Sequence, residues 1–118
     1  MKKSLQEKYP LLVKSLNKKL DLEAQYKKAW QGARLAADLL KKEYGAKQVW
    51  VFGSLTDQSK FDHNSDIDLA EIGVPDHKFY SAVSAVTRAI RDFKVDRVDK
   101  ENCRDVLKKS IEEEGIEV

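Results

Sequence analysis

The spacing of apolar positions changes several times along the chain, and each change predicts an element. Between residues 4 and 20 leucines recur among lysines, at Leu5, Leu11, Leu12, Leu16 and Leu20. Pro10 either breaks a helix in this stretch or opens one at its first turn. From Asp21 to about Tyr44 the spacing is helical: Leu22, Tyr26, Ala29, Trp30, Ala33, Ala37 and Leu40 recur at three- and four-residue steps. Asp21 is placed to cap the start and Gly45 to stop the end, and Trp30 reads as a core anchor. Gln48-Val49-Trp50-Val51-Phe52 is short, aromatic and β-branched, which predicts a strand, and Gly53-Ser54 ends it abruptly. Residues 55–65 are polar and aperiodic, and Asp66 to Ile72 then alternates acidic with apolar residues as a second strand. After a turn over Gly73 to Asp76, residues His77 to Phe93 predict a helix with Phe79, Val83, Val86, Ile90 and Phe93 facing inward. Val95 to Val98 predicts a third strand, and Asn102 to Glu114 a last helix carrying Val106, Leu107 and Ile111, stopped by Gly115.

The order α-β-β-α-β-α predicts an α+β fold. Its mixed sheet uses residues 48–52, 66–72 and 94–98, with helices packed mainly on one face. The chain's 118 residues fit one domain, divided into a helical N-terminal arm over residues 1–45 and a core over residues 46–118. There is no internal repeat, low-complexity segment or flexible linker.

Composition narrows the class. Charged residues make up 36% and apolar residues 42%, which suits a globular protein with a modest core. No apolar run approaches the ~20 residues that span a bilayer. Met1 to Glu7 lacks the apolar stretch of a signal peptide, and a lone cysteine, Cys103, forms no internal disulfide, so the expected location is the cytoplasm. The net charge of +2 hides an asymmetry: residues 1–47 carry 12 Lys/Arg against 5 Asp/Glu, and residues 48–118 carry 10 against 15. The lysines of the front half are spread out, which reads as a solvated helix face more than as a nucleic-acid site. Membrane and nucleic-acid partners are therefore not expected.

The chemistry is concentrated after the first strand. Asp66 and Asp68 are two apart on a predicted strand and share a face. Two carboxylates side by side repel, so packing both on one face is costly without a cation, and hard oxygen donors suit Mg2+ or Mn2+. Taken alone the pair could equally be solvated on an exposed strand. Gly53-Ser54 lies a short segment upstream, where glycine allows close backbone approach to a phosphate and serine offers a hydroxyl and an amide. A third carboxylate, Asp96, lies between Val95 and Val98, and the pattern leaves its face open. Were that strand beside the one carrying Asp66 and Asp68, three carboxylates and a phosphate-binding turn would describe a two-metal phosphoryl-transfer site. Glu71, three residues after Asp68, should face the other way. His63 reads as an exposed loop histidine, and Cys103 as a small buried or helix-start residue.

Val51-Phe52-Gly53-Ser54, then Asn64-Ser65-Asp66-Ile67-Asp68-Leu69-Ala70, then Val95-Asp96, resembles the DNA polymerase β-like nucleotidyltransferase superfamily. The short length resembles its minimal nucleotidyltransferase branch, and the resemblance covers about residues 48–114. It implies a nucleotidyltransferase-like fold and a transferase that uses ATP. Gly53 and Ser54 would bind the triphosphate, Asp66 and Asp68 would hold two magnesium ions (manganese being an alternative), and Asp96 would complete the metal site and activate the attacking hydroxyl. Many relatives carry Arg-Gly shortly after Gly-Ser. Here the segment is Leu55-Thr56-Asp57-Gln58-Ser59-Lys60, and Lys60 stands in as a point charge without the planar fork of arginine.

The same resemblance implies the antitoxin half of a toxin–antitoxin pair, which attaches AMP to a tyrosine of a HEPN-type toxin. Two alternatives stay open: a non-enzymatic module that masks its partner by contact, or nucleotidyl transfer to RNA or a small molecule, for which the chain lacks an added acceptor domain. The basic arm, with its own apolar stripe, would either dock the partner or complete the core or a homodimer.

Overall fold

The structure, a computed structural model, describes residues 5–118, so the first residues of the predicted arm, 1–4, lie outside the described residues. A short helix α1 (Leu5–Lys8) leads into α2 (Pro10–Glu43), a helix of 34 residues. Pro10 opens α2 at its first turn, where a missing N–H costs nothing. The helix runs through Asp21 without a break, so it begins earlier than the cap-like Asp21 suggests: nothing between Pro10 and Asp21 interrupts helical backbone. At its far end Gly45 has φ +81°, a left-handed turn that returns the Ala46 N–H to the Leu40 carbonyl at 3.0 Å.

Strands β1 (Gln48–Phe52), β2 (Ile67–Ile72), β3 (Val95–Asp99) and β4 (Ile116–Glu117) form one sheet in the order β3-β2-β1-β4. β1 is antiparallel to both β2 and β4, and β2 is parallel to β3. The parallel pair needs a crossover, which α3 (Phe79–Ala89) supplies. α4 (Asp105–Glu114) follows β3. β4 is the element that the sequence pattern does not announce, since two residues carry no period. Its position depends on Gly115, where a Cβ would sit 2.3 Å from the Ile111 carbonyl oxygen.

Val49, Val51, Ile67 and Leu69 face α2 and α3. The α2 contribution is a ladder of small residues, Ala29, Ala33, Ala36 and Ala37, closed by Leu40, which lets a long helix lie close to the sheet. Trp30 is half-buried at the margin of this cluster. On α3 the buried residues are Ala82 and Val86, continued by Ile90 just past its end, while Val83 is 39% exposed. Val86 and Ile90 thus face inward as the apolar spacing predicts, while at the preceding turn the small Ala82 takes the inward place expected of Val83. The other sheet face carries Phe52 and Ala70, with Trp50 and Val98, and packs on Ile111 and Leu107 of α4. Among the described residues no helix is long and apolar enough to cross a membrane.

On the α2/α3 side, Glu71 and Arg97 form an ion pair whose side chains are only 2% and 3% exposed. Arg97 donates from Nη2 to one carboxylate oxygen and from Nε to the other at 3.1 Å, and from Nη1 to the Phe79 carbonyl at 3.4 Å. One guanidinium therefore ties β2, β3 and the start of α3 together. Burial pushes the Glu71 carboxyl above its ordinary range, against the downward pull of the Arg97 hydrogen bonds and charge. Removing one partner of such a pair strands a buried charge, at a cost of about 3–5 kcal/mol. Glu71→Ala should lower unfolding free energy by that order in urea titrations. Val106→Ala, at a residue 84% exposed, should stay within about 0.5 kcal/mol of wild type.

Candidate active site

The end of β1 and the start of β2 form one chemical unit. Phe52 pairs with Asp68 across the antiparallel ladder, so the turn that follows Phe52 lies against the Asp68 side chain. Gly53 begins a single 3-10 turn, Gly53–Thr56, with φ +74°. A Cβ at Gly53 would stand 2.4 Å from Oδ2 of Asp68. Glycine is therefore required twice at this position, for the left-handed backbone and for the space that the carboxylate occupies. The turn is held by Thr56, whose Oγ1 donates to the Gly53 carbonyl at 2.7 Å. Ser54 is half-buried in the same turn, and its carbonyl accepts from the Asp57 N–H at 3.3 Å.

Asp66 stands immediately before β2 and Asp68 is its second residue. The parallel register pairs Asp68 with Asp96, which settles the face that the sequence leaves open: the two carboxylates lie on the same side of the sheet. Glu71 is on the opposite side, in the ion pair with Arg97, as its odd spacing from Asp68 requires. The Asp68 carboxyl is pushed up to about 6, first by burial and then by the negative charges of Asp96 and Asp66, with Lys94 opposing. Among the described residues no three His, Cys, Asp or Glu side chains close on a common point. Asp68 feels the negative charges of Asp96 and Asp66 without the three closing together.

Lys94 is the residue that sequence reasoning missed. Its Nζ lies 3.8 Å from Asp96 Oδ1, and its carbonyl accepts from the Ile67 N–H at 2.9 Å at the point where β2 begins. The available signal was the two-residue step from Lys94 to Asp96, which puts both on one strand face. Lys60 is exposed at the end of a second 3-10 turn, Gln58–Lys60, and its charge acts on Asp57. It is not among the charges that act on Asp68. Asp57 is held below the ordinary carboxylate range by the Ser59 hydroxyl and then by the Ser59 N–H. His63 is exposed, as expected, with Nδ1 2.7 Å from Oε1 of Gln25, which fastens the loop to α2. Asp62 accepts from the Asn64 N–H at 2.8 Å, turning the chain into Asp66.

The donor types suit a hard divalent cation: Asp68 and Asp96 on adjacent strands and Asp66 just before β2, with the Asp68 carboxyl raised first by burial and then by the other two charges. The same shift fixes a pH dependence. Folded Asp68 retains its proton up to about pH 6, whereas the unfolded chain releases it near 3.8. The folded state thus binds the extra proton in this window, and its stability through Asp68 falls as pH rises across it. Asp68→Asn should melt above wild type in metal-free buffer, with a difference that grows from pH 4 to pH 6 and is level above pH 7. A constant difference across this range in pH-resolved melting curves would refute the assignment.

No protein-family model matches this sequence, and no curated protein matches it. Solved structures do match in fold. A toxin–antitoxin crystal structure with AMP-PNP is similar at 25% identity and TM-score 0.57, over 68% of this chain and 66% of that chain. A complex of tri-AMPylated Shewanella oneidensis HEPN toxin with its MNT antitoxin is similar at 19% identity and TM-score 0.56, over 75% of this chain and 70% of that chain. A protein assigned as a minimal nucleotidyltransferase is similar at 22% identity and TM-score 0.54, over 80% of this chain and 93% of that one. The chain thus spans 66% of the toxin–antitoxin chain that matches it with AMP-PNP. The α+β architecture described above, with its four-stranded mixed sheet and long N-terminal helix, is the fold of the minimal nucleotidyltransferases.

Proposed function

We propose that this chain is a metal-dependent nucleotidyltransferase that moves AMP from ATP to a tyrosine hydroxyl of a HEPN-type toxin, as the antitoxin of that pair. The observation that carries the reading is the packing of Gly53 against the Asp68 carboxylate, with Asp96 beside Asp68 on the same sheet face. A turn able to hold phosphate and a carboxylate set able to hold cations are thereby fixed within one contact of each other. The reading is supported by the likeness to a toxin–antitoxin structure that contains AMP-PNP and to one whose toxin is AMPylated.

Asp66, Asp68 and Asp96 would hold two magnesium ions, or manganese in their place. Such ions, when bound, neutralise charge on the attacking and leaving oxygens of an in-line displacement. The remaining work falls to the chain. Backbone N–H groups of Gly53 and Ser54, with the Ser54 hydroxyl, orient the triphosphate. The Asp96 carboxylate takes the proton of the attacking hydroxyl. The new O–P bond forms at the α-phosphorus as the bond to the β-phosphate oxygen breaks, and pyrophosphate leaves. Lys60 would supply the positive charge for a phosphate oxygen in the role that arginine after Gly-Ser plays in many relatives, with Lys94 beside Asp96 as a second cation at the site.

A second reading, masking by contact without catalysis, draws on that arginine-free loop from Leu55 to Lys60. ATP labelled at the α- or the γ-phosphate, given with Mg2+ to the chain and its co-expressed partner, separates the two. The α-label should move to the partner and the γ-label should not. Losing one such electrostatic contact costs on the order of 10²–10³ in rate, and Asp66→Asn or Asp68→Asn should slow transfer by that factor or more. A partner silenced equally by wild type and Asp68→Asn, with no label transferred by either, would establish masking instead.

A further inference from the structure

The turn beside Asp68 is held in place from outside the sheet. Its carbonyls at Gly53, Ser54 and Leu55 accept from the Thr56 hydroxyl at 2.7 Å, the Asp57 N–H at 3.3 Å and the Tyr26 hydroxyl at 2.9 Å. The first two donors belong to the turn or follow it directly. Tyr26 is 29 residues upstream of Leu55, on α2. Leu55 is fully buried, so its carbonyl cannot turn to water where it stands.

The tyrosine is itself fixed. Its ring meets Phe61 edge-on, with centroids 5.1 Å apart and planes at 69°, and Phe61 is buried. Ala29, the first fully buried residue of the alanine ladder, stands about one helical turn beyond Tyr26, so the hydroxyl has a set place relative to the sheet and to Asp68. The adjacent Gln25 holds the same loop further on, through the His63 ring and by donating to the His63 carbonyl at 3.4 Å. Two neighbouring side chains of α2 thus fasten the segment between β1 and β2 near its start and near its end, and the Tyr26 bond is the one that reaches the turn itself. We propose that Tyr26 is a positioning residue: its hydroxyl sets the orientation of the Leu55–Thr56 peptide and so holds the Gly53 and Ser54 amides in register with Asp68. This rests on the nucleotidyltransferase reading, in which those amides receive the triphosphate. Without the hydroxyl the buried carbonyl loses this donor, and the turn regains one by tilting toward solvent, which carries the amides with it.

Tyr26→Phe removes the hydroxyl and keeps the ring against Phe61, and two measurements on the full chain separate positioning from general stability. In amide hydrogen exchange followed by nuclear magnetic resonance, Thr56 and Asp57 should exchange about three- to tenfold faster in the variant, while β1 and β2 exchange at the wild-type rate. In calorimetry with AMP-PNP and Mg2+, well below the melting transition, the variant should bind the nucleotide about three- to tenfold more weakly. Leu40→Met, a volume-conserving core change at the far end of α2, should bind it as wild type does. Wild-type affinity in Tyr26→Phe overturns this inference alone, whether or not the two amides exchange faster. Weakening matched by Leu40→Met, or faster exchange spread over β1 and β2, makes the role of Tyr26 one of stability and also overturns it. A wild-type chain that does not bind AMP-PNP overturns the nucleotidyltransferase reading and this inference with it.

Discussion

The register between β2 and β3 is the constraint on which the rest of this molecule depends. In that register Asp68 stands beside Asp96 on one face of the sheet, and on the other face Arg97, level with Leu69, reaches the Glu71 carboxylate. A slip of one residue would exchange the faces: an aspartate would enter the apolar layer beneath α2, and Arg97 would lie among the carboxylates. The two sides have opposite electrostatic signs. The Glu71–Arg97 pair and the apolar layer of Ile67 and Leu69 hold the strands together, while Asp66, Asp68 and Asp96 push them apart. The repulsion is tolerated because the other face opposes it. It leaves an anionic surface where a cation would relieve the strain that the fold imposes.

Much of this was legible in the sequence, for identifiable reasons. The strand ending at Phe52, the Gly53-Ser54 turn and the i, i+2 pair Asp66/Asp68 are local features, and local period gives the face of each side chain. The opposite orientation of Glu71 follows from the same count. The face of Asp96 was not legible, because β3 is short and its apolar residues, Val95 and Val98, are three apart. Only its pairing with β2 settles it. Lys94 stands two residues before Asp96 and was missed with it: until the pairing with β2 gives the face of Asp96, its neighbour cannot be assigned to the site. On α3 a single position departed, because apolar size pointed to Val83 where packing against the sheet selects Ala82. β4 was invisible because two residues cannot show a period.

The sheet, with α3 and the sheet-bound part of α2, positions the Gly53 turn against Asp68, with Asp96 level with Asp68 on the same face. The first third of α2 leaves Leu12, Leu16 and Leu20 exposed. Between Ser54 and Lys60 there is no arginine, and the cation nearest Asp96 is Lys94, just before the strand that carries it.

The central claim is that Asp66, Asp68 and Asp96 form one divalent-metal site beside the Gly53 turn. Manganese uptake followed by electron paramagnetic resonance, in the presence of a non-hydrolysable ATP analogue, tests it without any acceptor. The account predicts saturable Mn2+ binding by the wild-type chain, strengthened by the nucleotide and competed by Mg2+, and largely lost in Asp68→Asn while the folded state persists. Equal Mn2+ uptake by wild type and Asp68→Asn would contradict it.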